Sequence, residues 1–261
     1  MTVLMHELKR NKLSLIIWSA ALAFMLGICV LIYPEMSSQM GEISAMFSDM
    51  GAFSDAFGMD QLNFGEFMGY FGVECGNTLG LGGSLFAAIV GISALAKEER
   101  EHTAEFLLTH PMSRARILTE KLLSILVQLV ILNGSVIAVS AICTFAIGAE
   151  VQVGRLSLLF LANFLLQIEI VALTFGLSAF MQRGGLGIGL GLSLMLYFLN
   201  ILANLSEKTE FLKWITPFGY TDGSHIIENG SLELGYLLLG MVFAAISVAL
   251  AYRHYTKKDI S

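Results

Sequence analysis

Six long runs of apolar residues constrain the fold of this chain more than any other feature of its sequence. A helix needs about 20 apolar residues to cross the hydrocarbon core of a bilayer, which is about 30 Å thick. Six runs reach that length, and Glu169 in the fourth is the one charged residue within them. The runs are about residues 13–33, 76–96, 122–147, 156–181, 186–205 and 234–252.

The length of these runs favours α-helices over strands. The alternation of apolar and polar residues that a membrane β-barrel requires is absent from them, and a helix satisfies its own backbone hydrogen bonds in lipid. The composition agrees, because 14% of the residues are charged, whereas soluble domains carry about 25%. We therefore predict an all-α membrane protein in which residues 1–261 form a single transmembrane domain with six spans.

The basic residues predict how these spans are oriented. If the N-terminus lies in the cytoplasm, twelve of the 15 lysine and arginine residues fall on the cytoplasmic side, and only Arg155, Lys208 and Lys213 lie outside. Membrane proteins carry such an excess of basic residues in their cytoplasmic loops. Both termini are then cytoplasmic, and the acidic loop 34–75 is external. We expect a multi-pass protein of a cell membrane, specifically the plasma membrane of a prokaryote.

Two segments outside the spans are amphipathic. Near the N-terminus, apolar residues at positions 1, 4, 5 and 8 form one stripe opposite His6, Lys9 and Arg10. This pattern predicts a short interfacial helix on the inner surface, with a frayed tail as the alternative. Between the last two spans, Trp214 and neighbouring apolar residues lie beside charged residues, before Pro217. That composition favours a re-entrant or interfacial segment on the outer side.

The cytoplasmic segment 97–121 combines dense charge with a short apolar cluster. A Phe-Leu-Leu cluster at 106–108 follows the charged stretch, Pro111 ends that helix, and Ser113 can cap the next one. A solvated connector is the simpler interpretation, but a connector needs neither the apolar cluster nor this length. We therefore predict a docking helix whose apolar tip enters a groove of a partner protein.

This segment resembles the corresponding part of permease subunits of type-2 ABC (ABC-2) transporters. The matching residues are Glu99, Thr103, Glu105, Leu107, Leu108, Pro111, Ser113, Arg114 and Lys121. His102 departs from the family, which usually has glycine before the threonine. The six-span topology with both ends inside is also similar to that of the family.

The resemblance implies that residues 97–121 hold a coupling helix that contacts a separate nucleotide-binding subunit. The coupling residues that it implies are Glu99, Thr103, Glu105, Leu107, Leu108 and Arg114. We add Phe106 because of its apolar character. The resemblance further implies two ATPase subunits, which bind ATP and Mg²⁺, and a second permease that is either another copy or a paralogue. The function expected is a permease that exports a substrate.

The chain lacks the sequence motifs of an ATPase or of a membrane enzyme. No GxxxxGK[ST] phosphate-binding loop is present, so we expect no cofactor on this chain. The HExxH and GxSxG motifs are also absent, and the three cysteines lack metal-binding spacing, which argues against catalysis and against a metal site. A net charge of −6 without a basic patch argues against nucleic acid as a partner.

Glu169 leaves two interpretations open. An ionisable residue inside a membrane is a candidate functional group. In one interpretation the chain is an ion-coupled secondary transporter that uses Glu169 to bind the coupling ion. The other interpretation is a structural hydrogen bond to Asn163 or Gln167 of the same run, or to Asn133 or Gln128 of the third run. One acid without an inverted repeat gives thin support for ion coupling.

Glycines are concentrated at the start of the fifth run. Gly185 with Gly189, and Gly187 with Gly191, form two overlapping GxxxG motifs. Small residues let membrane helices approach closely, so we expect this half of the span to pack tightly or to flex during gating. Replacement of Gly187 and Gly191 by leucine is then expected to lower transport.

Overall fold

A computed structural model describes residues 2–49, 66–100, 113–181 and 185–257 of the chain. Within these ranges all regular secondary structure is helical, and six helical segments are long and apolar enough to cross a membrane. For the described residues, the predictions of an all-α fold and of six helices of membrane-spanning length are therefore confirmed.

The helical elements are divided among six spans and one connecting region. They are α1 (Thr2–Asp49), α2 (Phe67–Cys75), α3 (Gly83–Arg100), α4 (Arg114–Ile147), α5 (Val153–Ser178), α6 (Leu186–Asn204), α7 (Gly223–Asn229) and α8 (Leu234–Lys257). A π-helical stretch, Gly76–Gly82, joins α2 to α3 in the second span. Two 3-10 helices, Glu207–Trp214 and Gly219–Thr221, lie between α6 and α7.

The first helix is longer than the sequence predicts. The sequence predicts a separate helix over residues 1–12 and a span that ends at residue 33, whereas α1 is one continuous helix. The first backbone N–H groups of a helix have no acceptor within it. Here the Glu120 carboxylate of α4 accepts from the N–H group of Val3 at 3.1 Å. This contact anchors the start of α1 to the bundle.

The second span begins earlier than predicted, at Phe67. The sequence predicts a loop over residues 34–75, because glycine, methionine, phenylalanine and acidic residues are mixed there. In the structure, residues 35–49 continue α1, and nearly all of α2 is buried. Gly72 of α2 lies directly against Ile227 of α7. Contact with a distant helix, which no local pattern reveals, therefore makes this segment part of the span.

The remaining spans lie near their predicted positions, with shifted ends. α4 begins at Arg114, before the predicted residue 122, because its charged first turns are helical as well. Ser113 caps α4 as predicted, since its Oγ accepts a hydrogen bond of 3.3 Å from the Arg116 N–H group. α8 continues beyond the predicted residue 252 to Lys257.

Amide side chains link three of the spans inside the bundle. Asn133 Nδ2 of α4 donates to Gln167 Oε1 of α5 at 2.6 Å. Gln167 Nε2 donates in turn to the Leu79 carbonyl of the π-helical stretch at 3.3 Å. Polar side chains join membrane helices in this way where apolar surface gives no net attraction between them. The second, third and fourth spans are thus connected near their centres.

The fifth and sixth spans are the most exposed of the six. Of their most apolar windows, 22% of α6 and 11% of α8 is buried. α8 packs on α5, and α6 packs on α3, but α6 and α8 make little contact with each other. A cavity therefore lies between α6 and α8 in front of α5.

Candidate functional site

Two of the predicted coupling residues belong to the described part of the chain. Glu99 lies in the last turn of α3, and Arg114 begins α4. Arg114 Nη1 donates a hydrogen bond of 3.5 Å to the Tyr255 carbonyl near the end of α8. The others lie outside the described residues: Thr103, Glu105, Phe106, Leu107 and Leu108. Segment 101–112 therefore joins the bundle through α3 and α4.

A buried lysine connects three helices next to these attachment points. Lys121 of α4 is 1% exposed, and its Nζ donates to the Ala94 carbonyl of α3 at 2.6 Å. The same Nζ donates to Glu7 Oε1 of α1 at 3.1 Å, and Glu7 is also buried. A buried charge is tolerated when a charged partner and further hydrogen bonds satisfy it. Lys121 therefore holds the ends of α1, α3 and α4 together.

The neighbouring residue Glu120 makes a second connection between α1 and α4. Its Oε2 accepts from the Val3 N–H group, and its Oε1 accepts from Arg116 Nε at 3.1 Å. Because the Glu120 carboxylate lies beside the first residues of α1, it also interacts favourably with the dipole of α1. We call the group formed by Glu7, Arg116, Glu120 and Lys121 the α1–α4 clamp.

No local sequence pattern predicts the pairing in this clamp. Lys121 belongs to the resemblance motif, and Glu7 is not part of it. The two residues are 114 positions apart, so no local periodicity reports their contact. The available signal was weak: Lys121 directly precedes the third apolar run, and Glu7 lies in the amphipathic segment before the first.

Glu169 lies in the middle of α5 and is 1% exposed. The four amides considered as its partners do not bond to it, because they bond to each other and to backbone carbonyls. Among the described residues, neither oxygen of the Glu169 carboxylate makes a hydrogen bond of standard geometry. The phenol of Tyr220 lies close enough to act as a donor to it. The four amides are therefore not its partners, and the acid lies inside the bundle without a cationic partner among the described residues.

Two residues from other elements lie beside the Glu169 carboxylate. Gly240 of α8 lies directly against it, where any side chain on that residue would collide with the carboxylate. Tyr220, in the 3-10 helix Gly219–Thr221, also lies near the carboxylate. Burial, with the Glu169 charge nearby, raises the pKa of the Tyr220 phenol well above its ordinary value. The phenol therefore keeps its proton, although within the described structure its oxygen makes no hydrogen bond of standard geometry.

A cavity of about 580 Å³ opens beside Glu169. Leucines of α5 and α6 form one wall, and residues of α8, including Gly240 and Phe243, form the other. Trp214 and Tyr236 close one end, with their rings at 83° and their centroids 4.7 Å apart. We call this cavity the lateral groove, because it lies between the two most exposed spans. It is an apolar pocket with one acidic group at its base.

The four predicted packing glycines fall on two different faces of α6. A methyl group added at Gly189 or at Gly185 would lie 2.8 Å from the Ile92 side chain of α3. Gly187 and Gly191 face away, and a methyl group on either would meet nothing within 4 Å. The first pair thus lies at a close contact between α6 and α3, while the second pair lies on open surface.

Comparison with known proteins relates the whole chain to one group of transporters. A sequence-family profile described as "ABC-2 family transporter protein" matches residues 1–260. The uncharacterized protein YhcI of Bacillus subtilis (strain 168) is 23% identical to this chain over 204 residues. That match covers 68% of this chain and 64% of the relative, so the chain spans less than two thirds of the length of that relative.

Proposed function

This chain belongs to the ABC-2 family of transporter proteins, and we propose that it is the membrane-spanning permease subunit of an ATP-driven exporter. The observation that carries the proposal is the family match over residues 1–260. Six apolar helices of membrane-spanning length support it. Because the sequence contains no phosphate-binding loop, ATP and Mg²⁺ bind a separate ATPase subunit.

Segment 101–112 is the point of contact with that ATPase in this proposal. It holds the Phe-Leu-Leu cluster at 106–108 and lies between α3 and α4. Movement of the segment displaces the ends of α3 and α4, and the bonds of Lys121 carry that displacement to α1. Coupling of this kind requires an element with two arrangements that the ATPase favours differently in its two states.

The distribution of basic residues supports a cytoplasmic position for this end of the bundle. The starts of α1 and α4 and the end of α8 lie together, as the bonds Glu120–Val3 and Arg114–Tyr255 indicate. This end carries most of the lysine and arginine residues, as cytoplasmic ends of membrane proteins do. Residues 206–232 then lie on the outer side as a re-entrant segment, and the protein resides in the plasma membrane of a prokaryote.

A second permease subunit completes the proposed transporter. α6 and α8 expose most of their apolar surface in the single chain, and Gly187 and Gly191 leave an open strip on α6. Such a surface can contact lipid or a second permease. ATP binding by the paired ATPase subunits then switches the space between the two permeases from inward-facing to outward-facing.

Purification of the tagged chain from its native membranes tests this proposal. We expect mass spectrometry to identify a chain with a phosphate-binding loop in the purified complex. Reconstituted in vesicles, the complex should hydrolyse ATP faster than that ATPase subunit alone. Recovery of the permease without any ATP-binding chain would contradict the proposal.

Ion-coupled transport is the second candidate function, and Glu169, a buried acid without a cationic partner among the described residues, favours it. Transport by the reconstituted protein in vesicles, measured without ATP or without a proton gradient, distinguishes the two functions. An ATP-driven exporter continues to work when a protonophore abolishes the proton gradient and stops when ATP is removed. A secondary transporter shows the opposite dependence, and its transport is abolished by Glu169→Gln.

A further inference from the structure

We propose that the lateral groove binds an amphiphile with a protonated amine head group, which lies against Glu169 while the hydrocarbon tail lies along the apolar walls. The inference concerns binding to this chain, so it holds whether transport is driven by ATP or by an ion gradient.

The first argument is the state of the Glu169 carboxylate. It is 1% exposed, and neither oxygen makes a hydrogen bond of standard geometry to the described residues. The Tyr220 phenol beside it is a nearby donor, but this phenol carries no positive charge. A buried charge without a partner is strongly unfavourable, and a neutral carboxyl group would still leave its O–H and its carbonyl unsatisfied. No lysine, arginine or histidine lines the groove in the part of the chain that the structure describes. A bound ammonium group supplies the missing positive charge and donors in addition to that phenol.

The second argument is the composition of the groove. Three aromatic rings, those of Trp214, Tyr236 and Phe243, line the cavity that also contains Glu169. Aromatic faces attract ammonium ions through their quadrupoles. Five of the ten other lining residues are leucines, and two, Thr216 and Ser247, carry hydroxyl groups. The volume of about 580 Å³ falls within the range of about 300–1,000 Å³ found for small-molecule sites. The groove therefore suits a cationic head with an apolar tail.

The third argument is where the groove opens. Leu177 and Phe243 line it and are 40% and 49% exposed. They belong to membrane-spanning helices, so the opening faces the lipid at the side of the bundle. An amphiphile dissolved in the membrane can enter there without crossing water.

A second copy of this chain is a poorer match for the same groove. The six apolar runs contain no lysine, arginine or histidine. A helix from a second copy could cover the leucines, but it could not supply a cation at the depth of Glu169. Charge complementarity therefore favours the amphiphile as the occupant.

Fluorescence quenching of Trp214 tests the proposal directly. The chain has two tryptophans, Trp18 and Trp214, and Trp18→Phe leaves only the one that lines the groove. The full-length Trp18→Phe protein is placed in nanodiscs of phosphatidylcholine. It is titrated with dodecylamine brominated along its chain, and separately with dodecanol brominated in the same way.

The expected result is saturable quenching by the amine, with an apparent Kd at least about tenfold lower than that of the alcohol, as a charged hydrogen bond would give. Added to Trp18→Phe, Glu169→Gln should reduce this preference to about threefold or less and leave alcohol binding unchanged. The matched control Glu150→Gln, an exposed acid outside the groove, should keep the full preference.

Three results would overturn the proposal. One is equal binding of amine and alcohol by the Trp18→Phe protein, a comparison that remains decisive even if the Glu169→Gln protein does not fold. Another is an undiminished amine preference in folded Glu169→Gln protein. The third is quenching that never saturates, or no quenching at all, which would show partition into lipid only or a groove covered by another chain.

Discussion

The Nζ atom of Lys121 donates a hydrogen bond of 3.1 Å to Glu7 Oε1, and it joins the first and third spans at the end where segment 101–112 enters the bundle. Both residues are buried. Removal of one partner from a buried ion pair costs about 3–5 kcal/mol, because the other charge is left uncompensated, whereas removal of both can be nearly neutral.

We therefore predict that Lys121→Met or Glu7→Leu alone lowers the unfolding midpoint of the purified protein, and that the double variant recovers most of the loss. Thermal unfolding followed by intrinsic fluorescence in one detergent measures all three variants. Lys12→Met, which removes an exposed lysine of α1, serves as the control and should change stability by less than about 0.5 kcal/mol. Additive losses in the double variant would contradict a direct pair.

The contrast between this clamp and the spans explains what the sequence could and could not predict. A run such as 186–205 is visible because helix formation in lipid depends on local apolar length. The cap at Ser113 is visible for the same reason, since it involves residues three apart. The Glu7–Lys121 pair and the burial of α2 against α7 depend on contacts between distant parts of the chain. The lateral groove is likewise formed only when α5, α6 and α8 come together.

The second prediction concerns the predicted docking cluster. Leu107→Asp combined with Leu108→Asp should leave membrane insertion intact but uncouple ATP hydrolysis from transport. The reason is that two charges lose their solvation when they enter the apolar groove of the ATPase partner. Co-purification of the ATPase and its stimulation by the permease measure the effect. Leu107→Ile with Leu108→Ile conserves volume and polarity, so this matched pair should keep the coupling. Normal coupling in the aspartate pair would show that docking lies elsewhere.

The third prediction uses the two glycine pairs of α6. Gly189→Leu should destabilise the protein by about 1–3 kcal/mol, because overpacking forces neighbouring atoms to move, and a first methyl group would already lie 2.8 Å from Ile92. Gly191→Leu is the matched control, with nothing within 4 Å, and it should leave the unfolding midpoint of the isolated chain nearly unchanged. The unfolding midpoints of both variants are measured in dilute detergent and compared with that of the unmodified chain.

A double variant, in which both Gly187 and Gly191 are replaced by leucine, addresses the earlier expectation for these two residues. If these residues contact a second permease, Gly187→Leu with Gly191→Leu should lower transport and dimer formation without lowering the stability of the single chain. Transport and assembly at the normal level in this pair would restrict the role of the glycines to the α3 contact of Gly185 and Gly189.

The fourth prediction is the orientation of the bundle, tested by cysteine labelling in intact cells. In a background without Cys29, Cys75 and Cys143, the exposed positions Ser113 and Asn229 are replaced singly by cysteine. Ser113 precedes α4 at the end of the bundle where α1 begins and α8 ends, and Asn229 ends α7 between the fifth and sixth spans.

The positive-inside distribution predicts that Asn229→Cys lies outside, so a membrane-impermeant maleimide should label it in intact cells. Ser113→Cys should react only after the cells are permeabilised. Each variant serves as the control for the other, because both positions are exposed and differ only in the end of the bundle that they occupy. Labelling of Ser113→Cys in intact cells, with protection of Asn229→Cys, would invert the topology. It would also place segment 101–112 where no ATP-binding partner could reach it.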